Sequence, residues 1–283
     1  MVTTTQLEVR PLTGAIGAEI AGVDLGADLD DATIAAIRCA LLDHCVIFFR
    51  DQDITDDAQV RFATRFSTVQ RAVFGNTSDT APDLTVIDML TPKGSGTDQW
   101  HADSTFMPAP PFGAVLRAVQ IPDVGGDTCF ASMYAAYDAL SPSMQQQLDG
   151  LTAVHSTAHV MELVRRLDNA KVPTNSDDLP THVHPVVRVH PETGRKLLFV
   201  SPNWVECIVE LEDAESASLL AFLYEHVKSP EFQCRFRWQV HSVAFWDNRA
   251  CQHYAVADYE ERRVMHRVLL AGDVPYGPGG LEG

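Results

Sequence analysis

The sequence predicts a mainly β protein, with a barrel or sandwich core and a few α-helices packed outside it. Two observations lead to this prediction. Many short apolar segments are separated by turn residues, and helical periodicity occurs in only a few places. The 283 residues are 46% hydrophobic and 21% charged, which is typical of a chain that buries a sizeable core. No repeat or long linker divides the chain, so residues 1–283 are predicted to form one domain.

The N-terminal part predicts short strands and then two helices that flank one buried strand. Residues 7–25 alternate apolar residues with glycine turns, as short strands do. Residues 30–44 begin with acidic N-cap candidates and continue with helical spacing, and residues 55–66 form a second helical pattern with Thr55 as its cap. The segment "CVIFFR", residues 45–50, lies between them and reads as a buried strand.

Strand patterns dominate the rest of the chain. Residues 190–196, "HPETGRK", have the composition of a hairpin turn, and residues 89–100 predict a mobile loop before the first polar motif. Helical patterns recur at 131–149 and at 213–227, where Asp213 is the expected cap. The strand candidates are 84–90, 113–120, 151–156, 182–190, 196–200, 241–247 and 262–272.

Composition excludes several classes of partner. A formal charge of -17 opposes nucleic acid, and an anionic small molecule would need arginines placed locally in a pocket. The six cysteines show no CxxC pair, which favours a reducing cytoplasm. Neither a signal peptide nor a membrane span is apparent, so we expect a cytoplasmic protein without a membrane partner.

The segment "QWHADSTF" raises the first question of function. On a strand, His101 and Asp103 would project to one face and present a nitrogen and an oxygen to one metal ion. Two ligands do not make a site, and such a pair is often only two polar residues at a strand end. His253, which follows an apolar strand and a polar turn, is the third candidate.

Two imidazoles and one carboxylate leave three octahedral positions open. This arrangement suits non-haem Fe(II) that binds a bidentate co-substrate and dioxygen, whereas a structural zinc site is closed and tetrahedral. The remaining histidines lack comparable partners, so we expect them to be at the surface or hydrogen-bonded in structural roles. They are His44, His155, His159, His182, His184, His190, His226, His241 and His266.

Strand alternation places Arg263, Met265 and Arg267 on one face of the segment "ERRVMHRVLLAG". If this face is buried, two guanidinium groups need two anions, because an unpaired buried charge costs several kcal/mol. One anion would be the distal carboxylate of 2-oxoglutarate and the other an acidic group of the substrate. The alternative is that these arginines lie at the surface and balance nearby acidic residues.

The sequence resembles the taurine dioxygenase family of Fe(II)- and 2-oxoglutarate-dependent oxygenases. The pattern of HxD, Thr128, a distal histidine and an arginine has the family's spacing. Blocks such as "GAIGAEIAGVDL", "VIFFRDQ", "GGDTCF" and "WDNRACQHYAVADY" extend the resemblance from about residue 8 to residue 275.

The resemblance implies a double-stranded β-helix, the jelly-roll or cupin-like core, and a homodimer or homotetramer. It implies that His101, Asp103 and His253 hold Fe(II), that Thr128 and Arg263 bind the C5 carboxylate of 2-oxoglutarate, and that Arg267 binds the anionic group of the substrate. A C–H bond of the substrate is then oxidised by dioxygen with release of succinate and CO2. Because Asp103 retains a carboxylate ligand, halogenation is disfavoured.

Substrate residues depart from those of taurine-specific members. Gln70 stands about where those members carry a sulfonate-binding histidine, Thr97 replaces an asparagine, and Trp204 replaces a pocket phenylalanine. Phe74 and Phe106 complete the expected pocket. "WHADSTFMP" also resembles members that act on aryloxyalkanoic acids. We therefore expect a carboxylate, sulfonate or sulfate bulkier than taurine, such as an aryloxyalkanoate or a natural-product acid, whose oxidation is a hydroxylation, desaturation or epoxidation.

Two other classes remain open on the sequence. One is a jelly-roll protein that keeps a metal and binds a small acid without chemistry. The other is a zinc hydrolase, which is disfavoured because no general base stands near the three candidate ligands.

Overall fold

The structure, a computed structural model, describes residues 7–72, 76–78, 81–90, 97–165 and 181–280. Strands outnumber helices among them, so the predicted class, mainly β with flanking helices, is confirmed. The strands are β1 (Glu8–Pro11), β2 (Ala18–Ala21), β3 (Val46–Phe49), β4 (Asn76–Thr77), β5 (Thr85–Met89), β6 (Gly113–Gln120), β7 (Thr128–Ser132), β8 (Thr152–His155), β9 (His182–Pro185), β10 (Val187–Val189), β11 (Lys196–Leu198), β12 (Val205–Ile208), β13 (Gln233–Phe236), β14 (Val243–Asp247), β15 (Cys251–Ala255) and β16 (Arg263–Leu270). The helices are α1 (Asp31–His44), α2 (Asp56–Thr64), α3 (Met133–Asp138), α4 (Pro142–Leu148), α5 (Ala158–Arg165) and α6 (Asp213–Val227).

The largest sheet has eight strands in the order β1-β2-β3-β14-β6-β16-β5-β4. Its pairs are antiparallel except for β2 and β3, which run parallel. Because β16 lies between β6 and β5, both of its edges are hydrogen-bonded. The strand that carries the two candidate arginines is therefore an internal, rigid strand.

The large sheet is apolar on both faces. In β3, Val46 and Phe48 belong to the core between the sheets, whereas Ile47 and Phe49 belong to a second core formed with α1 and α2. Neighbouring residues of a strand point to opposite faces, so a sheet covered on both sides requires a continuous apolar run. This explains why "CVIFFR" predicts a buried strand.

A smaller sheet, in the order β13-β7-β15, lies across the inner core from the large one. Phe48 of the large sheet contacts Phe130 of β7 edge to face at 5.6 Å and stacks on Phe236 of β13 at 3.9 Å. His101 extends this sheet, because its N–H donates to the His253 carbonyl at 3.0 Å and its carbonyl accepts from the His253 N–H at 2.8 Å. Two of the candidate ligands are thus joined by their backbones.

The first two helices cover the outer face of the large sheet. Asp30 caps α1 and Thr55 caps α2, each accepting a hydrogen bond from a backbone N–H of the first turn, as predicted. The buried Gln59 of α2 donates to the carbonyls of Val115 and His266. The helix is therefore attached directly to the strands β6 and β16.

The helical pattern predicted over 131–149 is confirmed in part. Residues 131 and 132 end β7, and the helical part is divided into α3 and α4. The hydroxyl groups of Ser132 and Ser141 each accept a hydrogen bond from the first turn of the helix that follows. Pro142 lacks an N–H and begins α4, so it cannot lie within one continuous helix.

The last helix, α6, has the predicted bounds 213–227, but its cap is Glu212 rather than Asp213. The side chain of Glu215 accepts a hydrogen bond from the Glu212 N–H at 3.1 Å, which is one half of a capping box. Helix α5 is not predicted by the sequence. Within the described parts of the chain, no helix has the length and apolar character needed to cross a bilayer.

Candidate metal centre

Three side chains from two segments converge between the two sheets. His101 and Asp103 belong to the segment before β6, and His253 lies on β15. One ligand atom from each lies within 4.8 Å of the others, and no second group of three His, Cys, Asp or Glu side chains meets this criterion in the described residues. The Nε2 atoms of His101 and His253 lie 3.8 and 3.9 Å from Oδ1 of Asp103.

The prediction that His101 and Asp103 share a strand is only partly right. His101 forms a single β-bridge with His253, and the chain turns directly after Asp103. Ser104 has φ +50°, in the left-handed region that residues other than glycine rarely adopt. A turn, rather than the alternation of a strand, brings the carboxylate beside the imidazole.

Both imidazoles are in the form that binds metals. Nδ1 of His101 lies 2.7 Å from the Gln99 carbonyl, which only accepts hydrogen bonds, so Nδ1 carries the proton and Nε2 has a free lone pair. Burial lowers the pKa of His101 and lowers the pKa of His253 to about 3. The two rings are therefore neutral at physiological pH.

Asp103 is ionised and paired with an arginine. Burial alone would raise the pKa of Asp103, but the positive charge of Arg267 outweighs burial and holds this pKa below its usual value. Nη1 of Arg267 donates to both oxygens of Asp103, at 3.1 and 3.2 Å. Nε of Arg267 is buried without a hydrogen-bond partner among the described residues, so a donor remains for a further anion.

This donor set fits a catalytic ferrous site. Two neutral imidazoles and one carboxylate form a facial triad, which leaves other positions of an octahedral ion for exchangeable ligands. A closed tetrahedral zinc site needs a fourth protein ligand, and no further His, Cys, Asp or Glu of the described chain joins the group. The three residues predicted as ligands are thus placed together and are chemically suited to Fe(II).

Arg263 and Thr128 lie in one buried cluster through Trp238. Both Arg263, at the start of β16, and Thr128, at the start of β7, are buried. The guanidinium carbon of Arg263 lies 5.9 Å from the centre of the Trp238 ring. Nε1 of Trp238 donates to the Thr128 hydroxyl at 2.9 Å. The two residues predicted to bind one carboxylate are therefore connected by a common neighbour.

Arg263 differs from the other buried arginines of the described residues. Each of the others pairs with a carboxylate, whereas no described carboxylate lies within salt-bridge distance of Arg263, and its Nε has no hydrogen-bond partner. Burial lowers the pKa of Arg263 below its usual value. A desolvated, unpaired guanidinium is the expected form of an anion receptor. The paired arginines are Arg117 with Asp56, Arg188 with Asp273, and Arg249 with Asp247.

Phe106 and Trp204 form an apolar wall beside the metal ligands. Their ring centres are 4.9 Å apart, and together with Val160 of α5 they make a small apolar cluster separate from the two main cores. Nε1 of Trp204 donates to the carbonyl of Ala102, the residue between His101 and Asp103, at 2.7 Å. The wall therefore contacts the ligand segment itself.

The structure gives backbone contacts for two other predicted pocket residues. The N–H of Gln70 donates to the Leu269 carbonyl at 2.9 Å, two residues beyond Arg267. The carbonyl of Thr97 accepts from the Ala255 N–H at 2.9 Å, two residues beyond His253. Phe74 lies outside the described residues, as do residues 91–96 of the loop predicted over 89–100. The substrate roles of Gln70, Thr97 and Phe74 stay predictions.

Several other buried histidines have the hydrogen-bonded structural roles that the sequence predicts. Nδ1 of His155 lies 2.8 Å from the Thr105 hydroxyl, and Nε2 of His184 lies 3.0 Å from the Met107 carbonyl. Nε2 of His190 lies 3.0 Å from a carboxylate oxygen of Asp247. None of these three rings belongs to the metal cluster.

His184 should make the metal-free protein sensitive to acid. Burial lowers its pKa from 6.5 to about 4, so between these values the unfolded chain takes up a proton that the folded protein does not. The neutral His184 ring therefore makes its full contribution to the free energy of unfolding above pH 6.5, and this contribution is lost as the pH falls towards 4. In His184→Gln, whose amide still donates to Met107, we expect the loss of unfolding free energy between about pH 7 and about pH 4.5 to shrink by roughly 2 kcal/mol. Urea denaturation of both proteins measures this, and equal losses would contradict it.

Two residues of the site are not found by reading the sequence. Trp238 ends the segment "CRFRW", in which its contact with Thr128 is not apparent, and Asn248 lies in "WDNR", five residues before the candidate ligand His253. The side chain of Asn248 contacts the backbone of Asp103. In the sequence, Asn248 can be recognised only as a polar residue directly after an apolar strand.

Comparison with known proteins decides the family. The family model described as "Taurine catabolism dioxygenase TauD, TfdA family" matches residues 8–269. The chain belongs to the TauD/TfdA family. Because relatives in this family are α-ketoglutarate-dependent dioxygenases, the predicted enzyme class and its cofactors, Fe(II), 2-oxoglutarate and dioxygen, are confirmed. The alternative of a non-catalytic binding protein is not supported.

Relatives match the TauD/TfdA chain over nearly their whole length. An alkylsulfatase of Acinetobacter baylyi is 38% identical over 99% of this chain and 90% of its own. An α-ketoglutarate-dependent sulfate ester dioxygenase of Pseudomonas putida is 41% identical over 97% of this chain and 93% of its own. The crystal structure of a taurine dioxygenase from Burkholderia xenovorans, 39% identical, matches with a TM-score of 0.84 over 97% of this chain and 94% of that one. The predicted jelly-roll class is confirmed by this likeness.

Proposed function

We propose that this TauD/TfdA dioxygenase oxidises a C–H bond of a small organic anion with an apolar body larger than that of taurine. The observation that carries the proposal is the convergence of two neutral imidazoles and one carboxylate, together with a buried guanidinium, Arg263, that has no described carboxylate partner. Arg263 lies on the same strand as Arg267, which pairs with Asp103. Bound Fe(II) and 2-oxoglutarate supply the activation of dioxygen, with release of succinate and CO2.

In this proposal each residue has one role. His101, Asp103 and His253 hold Fe(II), and Arg263 and Thr128 receive the distal carboxylate of 2-oxoglutarate. Arg263 suits this role because an anion relieves the cost of its burial. Thr128 suits it because its hydroxyl, which already accepts from Trp238, still has a proton to donate.

The substrate class follows from Arg267 and the aromatic wall. Arg267 keeps a free Nε donor while it contacts the ligand Asp103, so a sulfate, sulfonate or carboxylate bound there would lie next to the metal. Phe106 and Trp204 offer an apolar surface beside the same segment. An alkyl sulfate is the first candidate, because an alkylsulfatase and a sulfate ester dioxygenase are among the relatives. An aryloxyalkanoate is the second, because other relatives are named for phenoxypropionate and 2,4-dichlorophenoxyacetate.

For an alkyl sulfate the reaction balances in a simple way. Hydroxylation of the carbon that bears the ester oxygen consumes one dioxygen and one 2-oxoglutarate, and yields succinate and CO2. The product then loses sulfate and a proton and leaves an aldehyde. Gln70, Thr97 and Phe74 are proposed to complete the substrate pocket.

Substrate screening tests this proposal. We expect octyl sulfate to give succinate, inorganic sulfate and aldehyde in equal amounts, and to exceed taurine in kcat/KM. Phenoxypropionate and an alkyl sulfonate complete the panel. Taurine as the best substrate would contradict the size argument, and succinate formation that no anion stimulates would contradict the substrate class.

We further propose that the enzyme acts as a single domain in a homodimer or homotetramer, in the cytoplasm and without nucleic acid. The formal charge of -17 supports the absence of a nucleic-acid partner, and the six free cysteines support the cytoplasm. The oligomeric state and the single domain rest on the family resemblance and on the undivided sequence. Light scattering at several protein concentrations measures the oligomeric state, and a monomer throughout would contradict it.

A further inference from the structure

The buried amide of Asn248 contacts the backbone of the candidate metal ligand Asp103 on both sides. Asn248 lies between β14 and β15 and is 1% exposed. Its Oδ1 accepts a hydrogen bond from the Asp103 N–H at 2.7 Å, and its Nδ2 donates to the Asp103 carbonyl at 3.0 Å. Nδ2 also donates to the Pro111 carbonyl at 3.1 Å, so both amide hydrogens are used. We call this set of hydrogen bonds the Asn248 clamp.

The clamp has a rigid base. The N–H of Asn248 donates to the Phe112 carbonyl at 2.9 Å, directly before β6, and Asn248 directly follows β14 of the large sheet. The next strand, β15, carries His253. The clamp therefore ties Asp103 to the same pair of strands that positions another candidate ligand.

The segment that the clamp holds is not an ordinary strand. Ser104 adopts φ +50°, and the turn is closed by a hydrogen bond from the Met107 N–H to the Ser104 carbonyl at 3.1 Å. A residue other than glycine stays in this region only where its surroundings over-determine the backbone. The clamp supplies such contacts at the residue before Ser104.

We propose that Asn248 is a positioning residue for the metal ligand Asp103. It fixes the backbone from which the carboxylate projects, so that Oδ1 of Asp103 lies 3.8 and 3.9 Å from Nε2 of the two histidines. Contacts that orient a ligand in this way tune metal affinity even though they do not touch the metal. The proposal rests on the proposed metal site at His101, Asp103 and His253.

A merely structural role would make Asn248 equivalent to any buried amide that binds backbone groups. Gln52 is such an amide and provides the matched control. It is 8% exposed, its Oε1 accepts from the Leu25 N–H at 2.8 Å, and its Nε2 donates to the carbonyls of Val23 and Arg50 at 3.2 and 2.9 Å. Like Asn248, it accepts one hydrogen bond from a backbone N–H and donates two to backbone carbonyls, but none of these three partners is a candidate metal ligand.

Co(II) binding to the metal-free protein, followed by its visible absorption, separates the two roles. We expect Asn248→Ala to raise the Kd for Co(II) about 10- to 100-fold. Asn248→Asp, which has nearly the same shape but cannot donate to the Asp103 carbonyl, should also raise it and is the test variant if Asn248→Ala does not fold. Gln52→Ala should lower Tm while its Kd stays within about twofold of the wild type.

The outcomes also separate this proposal from the metal site on which it depends. If His101→Ala binds Co(II) like the wild type, the metal site is wrong. If His101→Ala loses binding but both Asn248 variants keep the wild-type Kd, or if Gln52→Ala weakens binding equally, the positioning role is wrong and Asn248 is only structural.

Discussion

Replacing His101 by alanine is expected to abolish Fe(II) binding and, with it, 2-oxoglutarate turnover. In the proposed site the ring supplies one of three ligands, and the hydrogen bond from Nδ1 to the Gln99 carbonyl leaves the lone pair of Nε2 free for the metal. Loss of a direct ligand should weaken Fe(II) by more than the roughly 10- to 100-fold that outer contacts contribute. Anaerobic Fe(II) titration and a succinate assay measure both effects.

His184→Ala is the matched control for this prediction. His101 and His184 are equally buried, at 4% exposure, and each ring makes one hydrogen bond to a backbone carbonyl. We expect His184→Ala to destabilise the protein without changing the stoichiometry of Fe(II) binding. Full Fe(II) binding and turnover by His101→Ala would contradict the assignment of the ligands.

Replacing Arg263 by glutamine is expected to raise the KM for 2-oxoglutarate about 100-fold, because about 3 kcal/mol of charge-assisted hydrogen bonding to a carboxylate is lost. The same change removes a buried charge that has no described carboxylate partner. The metal-free variant should therefore be as stable as the wild type or more stable. Steady-state kinetics and thermal unfolding measure these two effects. A raised KM together with unchanged or higher stability indicates that Arg263 binds the co-substrate and does not form a structural ion pair.

The neighbouring Arg262 offers the control. It is exposed and pairs with Asp88 at 2.6 Å on the surface, so Arg262→Gln should leave the KM within about twofold. An unchanged KM in Arg263→Gln, or a marked loss of stability in the metal-free protein, would contradict the role of Arg263 as a receptor for the co-substrate.

Local patterns in the sequence predicted many of the individual elements. The strand 113–120 and the helix capped by Asp30 agree with the structure because burial on both faces and helix capping are encoded within a few residues. The helical pattern over 131–149 does not reveal its division into two helices, which the Ser141 cap and Pro142 cause. The sequence did not predict β7 or β13, because the short segments "TCFAS" and "QCRF" contain no apolar run long enough to indicate a buried strand.

In the site, too, the sequence predicts residues that form local patterns and does not predict contacts between distant residues. His101 and Asp103 were found as a local pair, and His253 by its residue type after a strand. Trp238 and Asn248 were missed because their contacts join residues 110 and 145 positions apart. The pairing of Arg267 with Asp103 spans 164 positions and was equally hidden. A side chain that contacts distant backbone groups can be recognised in the sequence only as a polar residue beside apolar ones.

The most direct test of the metal and co-substrate site is an anaerobic titration of the metal-free protein with Fe(II) and 2-oxoglutarate, followed in the visible range. The proposal predicts the weak charge-transfer band of a ferrous 2-oxoglutarate chelate at one equivalent of each. It also predicts that this band is absent in His101→Ala and that bound substrate shifts it. If no band forms with Fe(II) and 2-oxoglutarate in excess, the assignment of His101, Asp103, His253 and Arg263 is wrong.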